Sequence, residues 1–443
     1  MKIYPLFAFL FGMLFLSAQE PAGDQTTKVW SLQECIAYAI ENNITVKDAV
    51  LRKSSAEVNY DQSKSSRLPN LFGNVSQNFS NGNSIDPITS DYVTDQIYSS
   101  NIGVSTSMPL YQGGQINNRI KQGQLLIEQN SFLVEEAQNS IIVSILEAYL
   151  QALYNKEQII VTQNNLEASE KEVSRAKARL DAGSIALMDF TEAQSQAATN
   201  KYDVIAAKNN YEQYILTLKQ LLELDPEETM DIETIGKDKE LTYLESDKLN
   251  IYYKALDYLP EVSASNVNVS VFEKDLAIAK GAYLPSLSLV GSVGSGYTSI
   301  SDTDFTNQLN VNFNQKLGLS LSVPIFNRNQ TKAAVKNAKI NIEKAEIEKQ
   351  RTEKEVYKKV DTAWRHSMSS QEQLMASTAS QESAAESYKL AKKKYELGAL
   401  STTDLIISQN TYINAQQNYL QAKYLNILYH QLLQFYQGND IKL

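Results

Sequence analysis

Two segments in each half of the chain alternate apolar and small polar residues with a period of two. Such alternation places the apolar side chains on one face of a β-strand and the polar ones on the other. The pattern predicts strands over four ranges, about residues 70–80, 99–110, 286–297 and 311–325. On the last of these, the residues that we expect to face lipid if the sheet lies in a membrane are Leu317, Leu319, Leu321 and Val323.

A long proline-free tract with helical periodicity follows each pair of strands. The tracts predict helices over about 115–181 and 330–396, each about 100 Å long at about 1.5 Å per residue. In the first, Leu166, Val173 and Leu180 recur every seven residues, a spacing typical of a coiled-coil seam. Taken alone, this tract is also consistent with a stalk or a structural coiled coil that is not part of a channel.

Shorter helices flank each long one. Return helices are predicted over about 185–224 and 402–437, and an opening helix over about 31–66. Ser31 and Glu34 have the spacing of a capping box at the start of the opening helix, and Pro69 stops it. Laid end to end, the opening and return helices match the long helix in length, so each unit closes as a paired coiled coil.

The chain repeats itself at an offset of 215 or 216 residues. Leu68-Pro69 is echoed by Leu284-Pro285 before the second strand pair, and Ser107–Tyr111 is echoed by Ser322–Phe326 after it. The turns after the long helices also match, with Gly183 and Asp189 in the first and Gly398 and Asp404 in the second. We therefore expect two copies of one unit, over residues 19–225 and 248–443, joined by an acidic connector over 226–247.

The first 18 residues have the pattern of a secretory signal peptide. Lys2 supplies the positive start, Pro5–Leu16 the apolar run, and Ser17-Ala18 the small-residue cleavage site. A membrane anchor is the alternative, but the run is shorter than the roughly 20 residues that a spanning helix needs. We expect an exported mature protein without a transmembrane helix, so any membrane crossing must use the strands of a closed barrel.

The four predicted strands fit either an ordinary half-buried sheet or a transmembrane barrel. Strands of about 10 residues match the length that a tilted membrane strand requires, and the predicted export favours the barrel. Four strands cannot enclose a lumen, so the barrel must be shared with other copies of the chain. Three copies would supply twelve strands, although closure alone permits other numbers.

Composition and motifs argue against catalysis and nucleic-acid binding. The chain has 51 Asp and Glu against 41 Lys and Arg, and no basic stripe is present. Cys35 is the sole cysteine, and His366 and His430 lie on separate helical tracts. No nucleotide-binding motif is found, so we predict that the protein is not an enzyme, holds no cofactor or metal, and takes its energy for transport from a partner.

The motifs together resemble those of the TolC family of outer-membrane efflux proteins. They are the Leu-Pro before each hairpin, Pro109–Gly114 and Pro324–Asn327 after it, and the glycine turns at Gly183–Asp189 and Gly398–Asp404. The resemblance implies an α+β membrane protein built of two tandem repeats of helix, β-hairpin, long helix and helix. It implies a homotrimer whose twelve-stranded barrel lies in outer-membrane lipid of a Gram-negative bacterium and continues as a periplasmic coiled-coil tunnel.

The resemblance also implies that the glycine turns lie at the periplasmic tip, where adaptor (membrane-fusion) proteins and an inner-membrane pump dock. Asp189 and Asp404 match the family's acidic position there, and Glu192 matches a second carboxylate that some members carry. The second repeat has Ile407 at that place instead. Helix N-capping is the alternative role of both aspartates; if they line the pore, they favour cations.

Two functions from different classes follow. The first is a passive exit duct of a tripartite efflux pump or a type I secretion system, opened when the helix pairs near Gly183 and Gly398 move apart. The second is a non-channel periplasmic coiled-coil scaffold or adhesin. A diffusion porin is less suitable, because simple permeation does not need helices of about 100 Å.

Overall fold

The computed structural model describes residues 28–85, 89–234 and 247–442. The predicted signal peptide over 1–18 and residues 235–246 of the predicted connector lie outside the described residues. Within those ranges, no helix combines the length and the apolar character that crossing a membrane would require.

The first half of the chain is built of two short helices, a β-hairpin, a very long helix and a return helix. In chain order its elements are β1 (Lys28–Trp30), α1 (Leu32–Asn42), α2 (Ile44–Ser65), β2 (Asn70–Ile85), β3 (Tyr92–Gln112), α3 (Gln115–Asp181) and α4 (Leu187–Leu222). The long helix α3 coincides with the range predicted from its proline-free pattern.

The second half repeats this order, with one additional short helix inside the hairpin. Its elements are β4 (Met230–Ile232), α5 (Lys248–Tyr258), α6 (Pro260–Gly281), β5 (Ser286–Thr298), α7 (Phe305–Val311), β6 (Asn314–Ser322), α8 (Gln330–Glu396) and α9 (Thr402–Tyr436). Again the long helix, α8, has the predicted bounds.

The prediction of a strand over 311–325 was wrong at both ends. Val311 belongs to α7, which begins at Asp304, where the side chain accepts a hydrogen bond from the Asn307 amide. At the other end the strand stops at Ser322, because Pro324 has no N–H to donate to a neighbouring strand. Val323 therefore lies outside β6, although its side chain remains exposed.

The predicted single opening helix is broken in two at Asn43. Its backbone is extended there, with ψ 133°. The Asn43 side chain accepts from the Thr45 amide at 2.8 Å, which caps α2, and donates to the Leu221 carbonyl at 2.9 Å. At the start of α1, the Ser31 amide donates to the Glu34 carboxylate at 2.9 Å in a full capping box.

Part of the predicted acidic connector forms a short strand. Its residues Met230–Ile232 form β4, which pairs in parallel with β1. The Asp231 carboxylate is held by Lys156 of α3 and by the Tyr211 hydroxyl of α4, both at 2.7 Å. Burial alone would raise the pKa of Asp231, but these hydrogen bonds outweigh it and the pKa is lowered.

The main hydrophobic core surrounds this two-stranded ribbon. It contains Trp30, Cys35, Leu146, Tyr149 and Ile232. The Tyr149 hydroxyl donates to the Trp30 carbonyl at 3.1 Å and to the Glu233 carbonyl at 3.0 Å, so it clasps the ends of both short strands. Along the helices, the four-stranded sheet lies to one side of this core. The turns that follow the long helices α3 and α8 lie to the other side.

Small residues let α3 and α4 approach closely beyond the core. Ser169 and Ala176 of α3 are buried, as are Ala193 and Asn200 of α4. The Asn200 amide donates to the Ser169 hydroxyl at 2.9 Å. The seven-residue pattern around Leu166 therefore marks a real helix–helix seam, in which the small residues are buried more deeply than the large ones.

Candidate functional site

The four longer strands form one antiparallel sheet in the order β2-β3-β5-β6. Residues directly opposite each other in neighbouring strands lie on the same face. Leu319 is opposite Leu289, which in turn is opposite Met108. Further along, Thr106 is opposite Leu71. The apolar sets of all four strands therefore coincide on one face of the sheet.

This apolar face is largely uncovered in the single chain. The exposed fractions along the last strand and just after it are 81% for Leu317, 67% for Leu319, 65% for Leu321 and 54% for Val323. Four apolar side chains in one row that are each more than half exposed require another apolar environment.

Mainly small polar residues occupy the opposite face. Ser105 of β3 is opposite Ser292 of β5, which is opposite Lys316 of β6. One step away, Gly103 is opposite Gly294. The sheet thus has one apolar face and one polar, small-residue face, which is the division that a water-filled barrel needs.

Both edges of the sheet are open within the described residues. Strands β2 and β6 each pair along one side only. An edge of this length that stays unpaired is a template for another strand, so the sheet is incomplete as a single chain.

A close backbone contact between the two repeats fixes the junction of sheet and helices. Gly113, between β3 and α3, has φ +58°, and a Cβ built there would lie 2.1 Å from the Gly281 carbonyl oxygen. A Cβ on Gly281 would in turn lie 2.6 Å from the Gly113 carbonyl oxygen. Only a pair of glycines allows the two backbones to come this close. Their contact therefore fixes the position of the sheet relative to the helices.

Two matching turns form the far end of the molecule, and we call residues 179–192 and 394–407 the helical tips. In the first, the Gly183 amide donates to the Leu180 carbonyl and the Ser184 amide to the Arg179 carbonyl, both at 2.8 Å. Gly183 has φ +71° and Gly398 has φ +76°. Each glycine thus ends its long helix in a Schellman motif, in which a left-handed residue satisfies the last carbonyls.

Asp189 and Asp404 lie inside the first turns of the return helices, at the third position after each N-cap. The N-caps are Ala186 and Ser401. The Asp189 carboxylate accepts from the Ala186 amide at 3.1 Å, and the Asp404 carboxylate accepts from the Ser401 hydroxyl at 2.7 Å. Both carboxylates therefore stabilise helix starts, where negative charge is favoured.

Side chains at the tips, or one helical turn before them, join the first repeat to the second. The Thr403 hydroxyl of α9 donates to the Glu192 carboxylate of α4 at 2.9 Å. Arg175 of α3 contacts Glu172 at 2.7 Å and Glu396 of α8 at 3.3 Å. The sequence alone did not indicate these links, because they depend on how the two repeats align in space.

Large apolar side chains are exposed at the same tips. They are Leu187 and Met188 in the first tip and Leu397 and Ile407 in the second. Exposed apolar residues that cluster with polar ones are typical of a contact surface for another protein.

A metal-binding cluster is absent from the part of the chain that the structure describes. No three His, Cys, Asp or Glu side chains there come together as a metal site would require. His366 stacks on Tyr429 with ring centres 4.7 Å apart, and burial lowers the pKa of His430. Burial raises the pKa of the Cys35 thiol to about 12, which keeps it protonated.

A sheet with an apolar and a polar face, carried on paired helices of 67 residues, is the architecture of an outer-membrane channel subunit. The model of the outer membrane efflux protein family matches residues 35–223 and 251–432. The chain therefore belongs to the outer membrane efflux protein family, as the motifs indicated.

Relatives and solved structures agree with this assignment. Outer membrane efflux protein BepC of Brucella suis is 23% identical over 89% of this chain and 82% of its own length. Alkaline protease secretion protein AprF of Pseudomonas aeruginosa is 22% identical over 99% and 89%. A crystal structure of CusC shares the fold with a TM-score of 0.79 at 17% identity, covering 99% of both chains.

The open state of the Neisseria gonorrhoeae MtrE outer membrane channel has a TM-score of 0.76 at 19% identity, covering 93% of this chain and 89% of that one. The protein is thus an export channel of the outer membrane of a Gram-negative bacterium. Its helical part extends into the periplasm.

Proposed function

We propose that three copies of the chain form one passive duct. Each copy contributes its four strands to a twelve-stranded barrel in the outer membrane, and its helices to a tunnel that continues the barrel into the periplasm. The supporting observation is the sheet itself, whose apolar face is coherent over all four strands and whose two edges are open. Four strands are too few to enclose a lumen, whereas twelve leave room for one.

The duct is the exit of a larger machine, either a tripartite efflux pump or a type I secretion system. Nothing in the described residues resembles a motor or a catalytic site, so an inner-membrane pump supplies the energy. The relatives include both an efflux protein and a protease secretion protein, which supports both kinds of assembly. An adaptor protein docks at the helical tips, where Leu187, Met188, Leu397 and Ile407 are exposed.

The helical tips are the gate. Movement of one helix pair away from the other near Gly183 and Gly398 would break the contacts of Arg175 with Glu396 and of Thr403 with Glu192. Each contact is exposed and is therefore worth about 1 kcal/mol or less. Contacts of that strength hold the tips together at rest and yield to a docking partner.

Planar-bilayer recording of the purified protein tests this proposal. We expect discrete channels of low open probability, and a higher open probability in Arg175→Ala combined with Thr403→Val. Arg351→Ala is the matched control, because Arg351 pairs at 3.0 Å with Glu348 of its own helix and joins no repeats. A protein that forms no channels contradicts the duct, and channels unaffected by the double variant contradict the gate.

A further inference from the structure

The polar face of the sheet carries one distinctive charge. Among the residues of β2, β3, β5 and β6 whose side chains the structure describes, Lys316 is the charged one. It lies opposite Ser292, and Ser292 lies opposite Ser105. Its neighbour in sequence, Leu317, is opposite Gly291 on the apolar face. The register therefore places Lys316 on the face that is lined mainly by serine, glycine and asparagine, with Phe72 and Val290 as apolar exceptions.

The Lys316 side chain is free of an acidic partner. It is exposed and forms no ion pair with any Asp or Glu of the described ranges. Asp95 is the other charged residue in these strands, and it lies ten residues beyond Ser105 along β3, about 34 Å at 3.4 Å per residue. That separation is several times the Debye length of about 8 Å at physiological ionic strength. Asp304, before α7, is engaged by the Asn307 amide at 3.3 Å.

The surroundings of the Lys316 ammonium group are open. Gly318, two residues along the same face, has no atom within 4 Å of where a Cβ would be. Ser320 follows at the next position on that face. Lys316 lies opposite Ser292, six residues after the start of β5 at Ser286. It is therefore about 20 Å along the strand from the junction of sheet and helices. A lysine at this depth on the lipid face would cost about 2–4 kcal/mol, whereas the polar face accommodates it.

We infer that Lys316 makes the outer-membrane part of the channel prefer anions. The inference rests on the proposed function, because it needs the polar face to line a shared lumen. Symmetry then places three Lys316 ammonium groups at one height, as a ring in a wall of uncharged side chains. Rings of basic residues give pores their preference for anions, and a focused field raises the local concentration of the opposite charge.

The inference names a class of cargo for this section of the duct. Small solutes with a carboxylate, phosphate or sulfate group pass the ring more readily than cations of the same size. The helical tips carry Asp189, Glu192 and Asp404, so the two ends of the passage differ in the sign of their fixed charge. Charge selection at the exit is thus independent of the gate.

Reversal potentials of the assembled protein in a planar bilayer under a KCl gradient test the inference. Near 0.1 M salt, Lys316→Gln should lower the chloride-to-potassium permeability ratio by about threefold or more, because the field of the ring is lost. Lys316→Glu should lower it further. Ser320→Lys adds a second ring four residues along the same face of the strand and should raise the ratio.

Lys254→Gln is the control, because it removes one exposed positive charge from α5, away from the sheet. Its permeability ratio should equal that of the unaltered protein. The effect of Lys316→Gln should also shrink near 1 M salt, where the Debye length falls to about 3 Å. A merely structural role would not show that dependence.

The outcomes separate this inference from the proposed function. Conducting channels whose permeability ratio is the same with and without Lys316 overturn the inference and leave the duct standing. A detergent-purified protein that forms no channels in any variant overturns both.

Discussion

Asp189 and Asp404 stabilise the starts of the return helices, and we predict that they also line the passage. Their carboxylates accept hydrogen bonds from Ala186 and Ser401 at the starts of the return helices. The sequence has an acidic residue after each glycine turn, but the sequence alone could not decide whether that residue caps a helix or lines the pore. The structure shows the capping contact, and the pore-lining role stays a prediction.

Replacing both aspartates with asparagine separates the two roles. An asparagine oxygen still accepts a hydrogen bond, so the helix starts persist, and the loss of favourable charge should cost about 1 kcal/mol or less per site. We expect the channel to become less cation-selective at its tip, measured as a smaller shift of conductance with added divalent cations. Asp257→Asn, on the exposed side of α5, is the charge-matched control. Unchanged ion preference in the double variant would leave capping as the sole role.

Gly113 depends on a contact between repeats that the sequence did not reveal. Its left-handed backbone costs an alanine about 1–2 kcal/mol, and the added Cβ would also overlap the Gly281 carbonyl oxygen. We expect Gly113→Ala to lower the thermal unfolding temperature markedly and to reduce the assembled fraction. Gly73→Ala in β2 meets no atom within 4 Å and should behave much more nearly like the unaltered protein. Equal unfolding temperatures of the two variants would contradict this view of the junction.

At the scale of elements, periodicity predicted the long helices best. Both span many heptads without proline, so the local signal is strong. The short strands β1 and β4 were missed, because each has three residues and its partner lies about 200 residues away in the chain. The break at Asn43 was missed for a similar reason, since its side chain is held by Leu221 of a distant helix.

The alternation in β6 predicted its apolar face but not its ends. The helix that Asp304 caps ends at Val311, where the predicted strand began, and Pro324 ends the pairing that the pattern extended. Local hydrogen-bonding groups thus decided the bounds, while the period of two decided the faces. The same limit applies to α7, whose seven residues are too few to show a helical period.

Leu319→Arg tests which face of β6 meets the membrane. A charge at mid-depth on the lipid face costs about 2–4 kcal/mol, so we expect loss of membrane insertion, measured as protein recovered in the outer-membrane fraction. Ser320→Arg places the same side chain on the opposite face of the same strand and should insert normally. If Ser320→Arg failed while Leu319→Arg inserted, the two faces would be assigned the wrong way round.

At the scale of the whole molecule, the repeat explains how one chain supplies both a membrane part and a tunnel. Each repeat sends a hairpin to one end and a glycine turn to the other, and Gly113 and Gly281 bring the two hairpins into one sheet. Within the described residues, the sheet remains open at β2 and β6. We propose that other copies of the chain offer the matching edges and complete the channel.

The number of chains in the detergent-extracted particle tests this account most directly, and native mass spectrometry measures it. We predict a particle of three chains that keeps its stoichiometry after dilution and requires detergent to stay in solution. A particle of one chain that is soluble without detergent would contradict the shared sheet and everything inferred from it.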